Sequence, residues 1–125
     1  MIRKISTVSI FVTDYDAAKT FYTDKLGFEV RRDNAFGDEG QRWVEVAPPG
    51  AETVAVLYKP DDNWRHYEQV IGQSQALTFE VENIRAFVES LRQKGVTIAQ
   101  EPFDMPFGTF AYILDQDDNR LILVG

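Results

Sequence analysis

One pattern occurs twice along the chain, and 125 residues that repeat themselves have few ways to fold. The stretch ISTVSIFVTDYDAAKTFYTDKLGFEV, Ile5 to Val30, is echoed by ALTFEVENIRAFVESLRQKGVTI, Ala76 to Ile98. Each copy reads as an alternating strand, a polar cap, an amphipathic helix, a glycine and a new alternating strand. In the first copy Ile5, Thr7, Ser9 and Phe11 share one strand face, while Val8, Ile10 and Val12 share the other. Thr13 or Asp14 caps a helix on which Ala18, Phe21, Tyr22 and Lys25/Leu26 keep helical spacing. Gly27 ends it, where a left-handed residue costs least. In the second copy Leu77, Phe79 and Val81 alternate with Ala76, Thr78 and Glu80. Asn83 caps, Ile84, Phe87, Val88 and Leu91 fall at i, i+3, i+4 and i+7, and Gly95 closes.

The registers correspond through the strand: Val8 with Leu77, Ser9 with Thr78, Ile10 with Phe79, Val12 with Val81, Asp14 with Asn83. One residue is lost inside the second helix before LGFEV overlies KGVTI. Chance matches of apolar letters seldom reproduce cap, helix face and terminal glycine together, so the repeat reads as a duplication. Three strand segments follow each helix. FEVRRDN, QRWVEVA and TVAVLYK are separated by the turn signals AFGDEG and PPGAE; VTIAQEP, GTFAYILD and RLILV are separated by FDMPF and QDDN. Asp118 and Asn119 tolerate the left-handed geometry that the last hairpin needs. The plan is α+β: a βαβββ module over 1–60, a polar connector with one helical turn over 61–74, and a second module over 75–125.

The totals narrow the function. A net charge of −7 and a pI near 4.6 argue against nucleic acid, whose phosphates need clustered Lys and Arg. The same acidity suits a cationic ligand better than an anionic one. The absence of cysteine excludes disulfides, thiol nucleophiles and thiolate metal sites. The start, MIRKISTVSIFV, alternates instead of presenting the continuous apolar run of a signal peptide. No stretch approaches the ~18 apolar residues of a membrane span. The expected location is therefore cytoplasmic, with no membrane partner.

The duplicated plan resembles the vicinal oxygen chelate superfamily, the group of glyoxalases, extradiol dioxygenases and bleomycin-resistance proteins. The resemblance lies in VSIFVTDYDAAKTFYTDKLGFEV, FEVENIRAFVESLRQKGV and FGTFAYILDQDDNRLILV. The last is similar to the family's closing DPDGN turn, with Gln116 and Asp118 in place of its proline and glycine. The resemblance implies two modules whose open, curled sheets surround a cavity, usually in a homodimer. It also implies a divalent metal held by His or Glu from the first and last strand of each module. Carried onto this chain, those four places are Thr7, Val56, Ala76 and Ile122. A neutral threonine hydroxyl is a poor ligand and the others have no donor. A one-residue slip brings no His, Asp or Glu there either, and it would turn each side chain to the opposite face. The expectation is that no metal and no other cofactor is bound.

Two carboxylates remain as candidate acids or bases. Glu80 shares the face of Ala76 and Thr78, and Glu45 lies beside Trp43 on a strand expected to line the same space. The competing reading of Glu80 is an ion pair with an arginine such as Arg42, or exposure to solvent at the strand end. His66, the single histidine, falls in the polar connector and reads as a solvated loop residue. DQDDN opens like a calcium loop but has Arg120 where glycine is needed, and no twelfth-position Glu. The cavity is expected to be lined by Thr7, Ser9, Phe11, Trp43, Val56, Tyr58, Ala76, Thr78 and Ile122. Rings that line an apolar cavity serve packing and ligand contact alike.

These residues support a metal-free protein that binds a small molecule, sequestering a planar or cationic compound. The runner-up is a cofactor-free lyase or isomerase with Glu80 or Glu45 as its base. A metal-dependent glyoxalase or dioxygenase comes third, because its donors are missing. A purely structural pairing module would need a cavity filled by its own side chains.

Overall fold

The computed structural model of the protein describes residues 1–73 and 77–125. The chain divides into two compact units, Met1–Gln69 and Val70–Gly125. The first contains β1 (Thr7–Phe11), α1 (Tyr15–Thr20), β2 (Glu29–Phe36), β3 (Gln41–Ala47) and β4 (Val54–Tyr58). The second contains β5 (Leu77–Glu80), α2 (Ile84–Gln93), β6 (Ile98–Met105), β7 (Gly108–Leu114) and β8 (Arg120–Val124). Each unit forms a four-stranded open sheet, in the orders β1-β4-β3-β2 and β5-β8-β7-β6. In both, the first strand lies parallel to the last while the other pairs are antiparallel. This is the α+β arrangement of two βαβββ copies.

The correspondence extends to single hydrogen bonds. The Val12 N–H donates to the Tyr58 carbonyl at 2.9 Å, and the Val81 N–H donates to the Val124 carbonyl at 2.8 Å. Asp14 caps α1 by accepting the Ala17 N–H, and Asn83 caps α2 by accepting the Ala86 N–H. Gly27 and Gly95 take φ of 80° and 84°. The one-residue difference between the helices has a structural form. The first helix continues from α1 into a π-helical turn, Phe21–Lys25, which absorbs an extra residue while keeping Phe21 and Tyr22 buried. A π turn is how a helix accommodates an insertion without rotating the faces on either side.

Each sheet buries one face beneath its helix. In the first unit Ile10, Val12, Val44, Val46 and Leu57 are fully buried and point to the side where α1 lies. In the second, Ala111, Ile113, Leu121 and Leu123 are buried with Ile84, Val88 and Leu91 of α2. The closing hairpin of the second unit is fixed by two buried polar residues. Asp115 Oδ1 accepts the N–H groups of Asp117 and Asn119, and Oδ2 accepts from Asn119 Nδ2. Asn119 Oδ1 in turn accepts the Gly72 N–H. Asp118 sits at φ 63°, a value that Asp tolerates better than most side chains.

Three local expectations need correction. The turn AFGDEG gives up Ala35 and Phe36 to β2, which pairs with β3 as far as Phe36–Gln41. The turn FDMPF gives up Phe103, Asp104 and Met105 to β6. Pro102 is tolerated there because β6 is an edge strand with irregular register between Gln100 and Phe103, the setting where proline costs no ladder bond. The connector is more than one helical turn: Asp62–Val70 form a nine-residue 3₁₀ helix. Such runs are rarely this long, and this one is anchored by Tyr67, whose ring stacks on Phe11 at 4.4 Å.

Asp33 ties α1 to its sheet. Its carboxylate accepts from Arg42 Nε and Nη2 at 3.1 and 2.8 Å and from Lys19 Nζ at 2.8 Å. The Arg42 hydrogen bonds, followed by that of Lys19, hold its pKa down at about 2. A depressed carboxylate contributes stability that is full above its unfolded value near 4 and is lost as pH falls through the folded value. A shift of this size corresponds to about 2 kcal/mol. At neutral pH, Asp33→Asn should therefore lower unfolding stability by that order. The gap from the parent should close as pH falls from about 4 to about 2. Urea unfolding at a series of pH values measures it; a gap that stays constant would mean that the carboxylate charge is not what fastens the helix.

Candidate functional site

The side of the first sheet away from α1 is where a site can form. Strand parity puts Thr7, Ser9 and Phe11 of β1, Val54, Val56 and Tyr58 of β4, and Gln41, Trp43 and Glu45 of β3 on this face. Ser9 is exposed and Phe11, Trp43, Glu45 and Tyr58 are half-buried, whereas Ile10, Val12, Val44, Val46 and Leu57 on the helix side are fully buried. A cavity of about 500 Å³ opens here, within the usual range for small-molecule sites.

The strand ladder explains where it opens. β3 and β4 register only at Glu45–Val56 and Val46–Ala55. Continued to its end, the ladder would set Trp43 against Tyr58, two positions beyond the last registered pair. The second unit keeps the equivalent ladder closed, from Leu114–Arg120 to Phe110–Val124. There Phe103, Phe107, Phe110 and Tyr112 pack on one another, with ring centroids 5.6 to 6.2 Å apart.

Six rings line the cavity of the first unit: Phe11, Tyr15, Phe36, Trp43, Tyr58 and Tyr67. Phe11 and Tyr67 are stacked with an interplanar angle of 12°, and Tyr58 meets Phe11 edge-on at 5.8 Å. These offset and edge-on contacts preorganise the wall at little entropic cost to a ligand. The Trp43 indole N–H donates to Glu45 Oε2 at 2.7 Å, which fixes the ring's orientation. Burial, with a further push from the charge of Asp61, raises the pKa of the Tyr58 phenol. Tyr58 is therefore a neutral hydroxyl at physiological pH. Polar groups also come from Ser9, Gln41, Arg42, Lys59 and Asp61.

The residues picked from sequence divide into groups. Ser9, Phe11, Trp43 and Tyr58 meet at the cavity. Thr7 and Val56 share its sheet face, but Val56 is only 1% exposed and neither borders the open space. Glu45 reaches the site through Trp43. Thr78, Glu80 and Ile122 stand on the corresponding face of the second unit, with Thr78 and Glu80 exposed. By register Glu80 occupies the place that Phe11 holds in the first copy. Ala76 lies outside the described residues. Arg42 is committed to Asp33 and Asp16, and His66 is exposed with its ring beside Tyr67. Sequence reading missed Tyr15, Phe36, Gln41, Lys59, Asp61 and Tyr67. Tyr15 directly follows the helix cap, and that position was a usable signal; Tyr67 in a polar connector gave none.

The structure is an open βαβββ sheet, duplicated, with a cavity lined by aromatic rings on the face of the first sheet away from α1. The chain belongs to the Glyoxalase/Bleomycin resistance protein/Dioxygenase superfamily, whose family model matches residues 4–123. It is 39% identical to YetH of Bacillus subtilis (strain 168), over 98% of both chains. The crystal structure of UcmS2 matches with a TM-score of 0.86 at 40% identity, covering 99% of this chain and 98% of that one. TnmS3, an antibiotic binding protein from Streptomyces sp. CB03234, matches at 0.84 and 30% identity, covering 98% and 95%.

The metal that many members of this fold hold does not suit the residues present. The four positions that the resemblance assigns to its ligands carry Thr7, Val56, Ala76 and Ile122, a set without imidazole or carboxylate. Among the described residues no three His, Asp or Glu side chains come together. Protein purified without chelator should therefore show no stoichiometric zinc, nickel, iron or manganese by elemental analysis. One tightly held metal per chain would refute this assignment of the donor positions.

Proposed function

We propose that the protein is a metal-independent binder that sequesters a flat, largely apolar small molecule in the cavity of its first unit. The observation that carries the reading is the six-ring lining, which offers large planar faces for stacking and few fixed charges. The antibiotic binding of TnmS3, a neighbour of the same fold, points the same way. Sequestration needs no reacting group, only shape, stacking and exclusion of water. Glu45 then acts as the acceptor that orients the Trp43 platform.

The binding reading has a direct test. A thermal-shift screen of polycyclic aromatic compounds should find ligands, and saturation at 100-fold the dissociation constant stabilises a fold by ~2.7 kcal/mol. Ser9→Trp should abolish that stabilisation while leaving the fold intact, because Ser9 is exposed and the new ring occupies the cavity instead of removing support. Unchanged binding in Ser9→Trp would place the ligand elsewhere. Glu45→Gln separates this reading from a lyase or isomerase using Glu45 as its base. The glutamine oxygen can still accept the indole N–H, so a binder should keep its affinity within a few-fold. An enzyme should keep binding and lose on the order of 10²–10⁴ in turnover. Glu80→Gln tests the other candidate base in the same assay.

We further propose that the protein works as a homodimer. Each unit carries apolar groups in or beside an edge strand: Val30 and Phe36 in β2, Met105 and Phe107 at the end of β6, all exposed in the single chain. Edge strands of this kind are usually covered in a soluble assembly. Light scattering should report about twice the chain mass of 14.3 kDa; a monomer at micromolar concentration would contradict it.

A further inference from the structure

The aromatic cavity does not stand alone. A second cavity of about 220 Å³ is lined by Tyr15, Gln41, Lys59 and Asp61, all of which also line the first, and by Glu39, Gly40 and Pro60. The two spaces are therefore contiguous across four shared residues, yet their chemistry differs. The larger has six rings. The smaller has one, Tyr15, and its remaining side chains offer an amide, an ammonium and two carboxylates.

The donors and acceptors of the smaller space are arranged for a polar group. The Tyr15 hydroxyl oxygen accepts the Arg42 N–H at 3.3 Å, and its own hydrogen can be donated to another group. Gln41 Oε1 accepts the Glu39 N–H at 3.2 Å, which orients the amide at the junction of the two cavities. Gly40, at φ 80°, lines this space and has open room where a Cβ would stand. Glu39 and Asp61 outweigh Lys59 by one negative charge, and the whole chain carries −7. A protonated amine fits that balance, and neighbouring hydroxyls fit the mixed donors and acceptors.

We propose that the ligand is bipartite: a flat ring system in the larger cavity, bearing an amine-containing, hydroxylated appendage such as an amino sugar that lies in the smaller one. This rests on the binding reading above and adds to it the class of molecule bound. The aromatic body provides most of the contact area. The appendage selects among flat compounds, because its charge is met by Glu39 and Asp61 only when the rings are seated.

A matched pair of probes tests it: daunomycinone, a tetracyclic aglycone, and daunorubicin, the same body carrying an amino sugar. Both are titrated by fluorescence against the full chain. Daunorubicin should bind at least ~10-fold more tightly at low ionic strength, about 1.4 kcal/mol, and added salt should shrink the difference. Glu39 lines only the smaller cavity and is exposed. Glu39→Lys should remove the advantage of daunorubicin and leave the affinity for daunomycinone unchanged, with the melting temperature checked for each protein. Equal affinity for the two probes, or an equal loss for both in Glu39→Lys, overturns this inference and leaves the binding reading standing. A chain that binds neither probe overturns both.

Discussion

Each four-stranded sheet of this protein has a single helix to cover it, and that shortage governs the rest of the structure. The chain leaves β1, crosses one face as α1, and returns through three strands so that the last lies parallel to the first. The crossover fixes which face the helix takes. Much of the apolar core follows it there: Ile10, Val12, Val44, Val46 and Leu57 are fully buried, and the hydrophobic effect rewards that burial directly. The opposite face is covered only in part: Val54 and Val56 are buried and Tyr67 stacks on Phe11, while Ser9 lies in the open. Binding chemistry can therefore collect on one side of the sheet without competing with the core on the other.

The two copies solve the uncovered face differently. In the second, β7 and β8 pair along their whole length, and the rings of Phe103, Phe107, Phe110 and Tyr112 fill space against one another. In the first, the registered pairs of β3 and β4 end at Glu45–Val56, and Trp43 and Tyr58 border an opening. Equivalent register positions have diverged accordingly. Tyr58 matches Val124, Trp43 matches Phe110, Glu45 matches Tyr112, and Phe11 matches Glu80. Duplication supplied two similar faces. A shortened ladder in one of them supplied the cavity.

Much of this was legible in the sequence because it depends on periodicity. Alternation assigned Ser9, Phe11 and Tyr58 to one face, and caps and glycines located both helices. The missing residues depend on long-range geometry that periodicity does not carry. Nothing local says that Tyr67, in a polar connector, will stack on Phe11, since its position is set by the path of the 3₁₀ helix. Phe36 was hidden because AFGDEG has the composition of a turn, although pairing with Gln41 extends the strand through it. The π turn at Phe21–Lys25 was visible only as a count, one residue more than in the second copy. Whether a residue had been gained or lost required the hydrogen-bond pattern.

A strand that parts from its neighbour leaves backbone groups to be satisfied and a wall to be held in place. Here the replacement comes from the helix side. Arg42 lies in β3 between Gln41 and Trp43, beyond the registered pairs of β3 with β4. Its N–H donates to the Tyr15 hydroxyl, and its guanidinium lies 5.2 Å from the centre of the Tyr15 ring. The same guanidinium is forked onto Asp33 and bonded to Asp16. The pairing with Asp33 and Asp16 raises the pKa of Arg42 still further, so it holds its charge at every pH at which the protein folds. Because side chains alternate along β3, pinning Arg42 on the helix face fixes Gln41 and Trp43 on the cavity face. The opening is thus held as a fixed shape. Beyond the registered β3–β4 pairs, β3 is held by its continued pairing with β2 as far as Phe36–Gln41 and by the Arg42 ion pairs on the reverse of the sheet, and the rings of the cavity wall are carried by that strand.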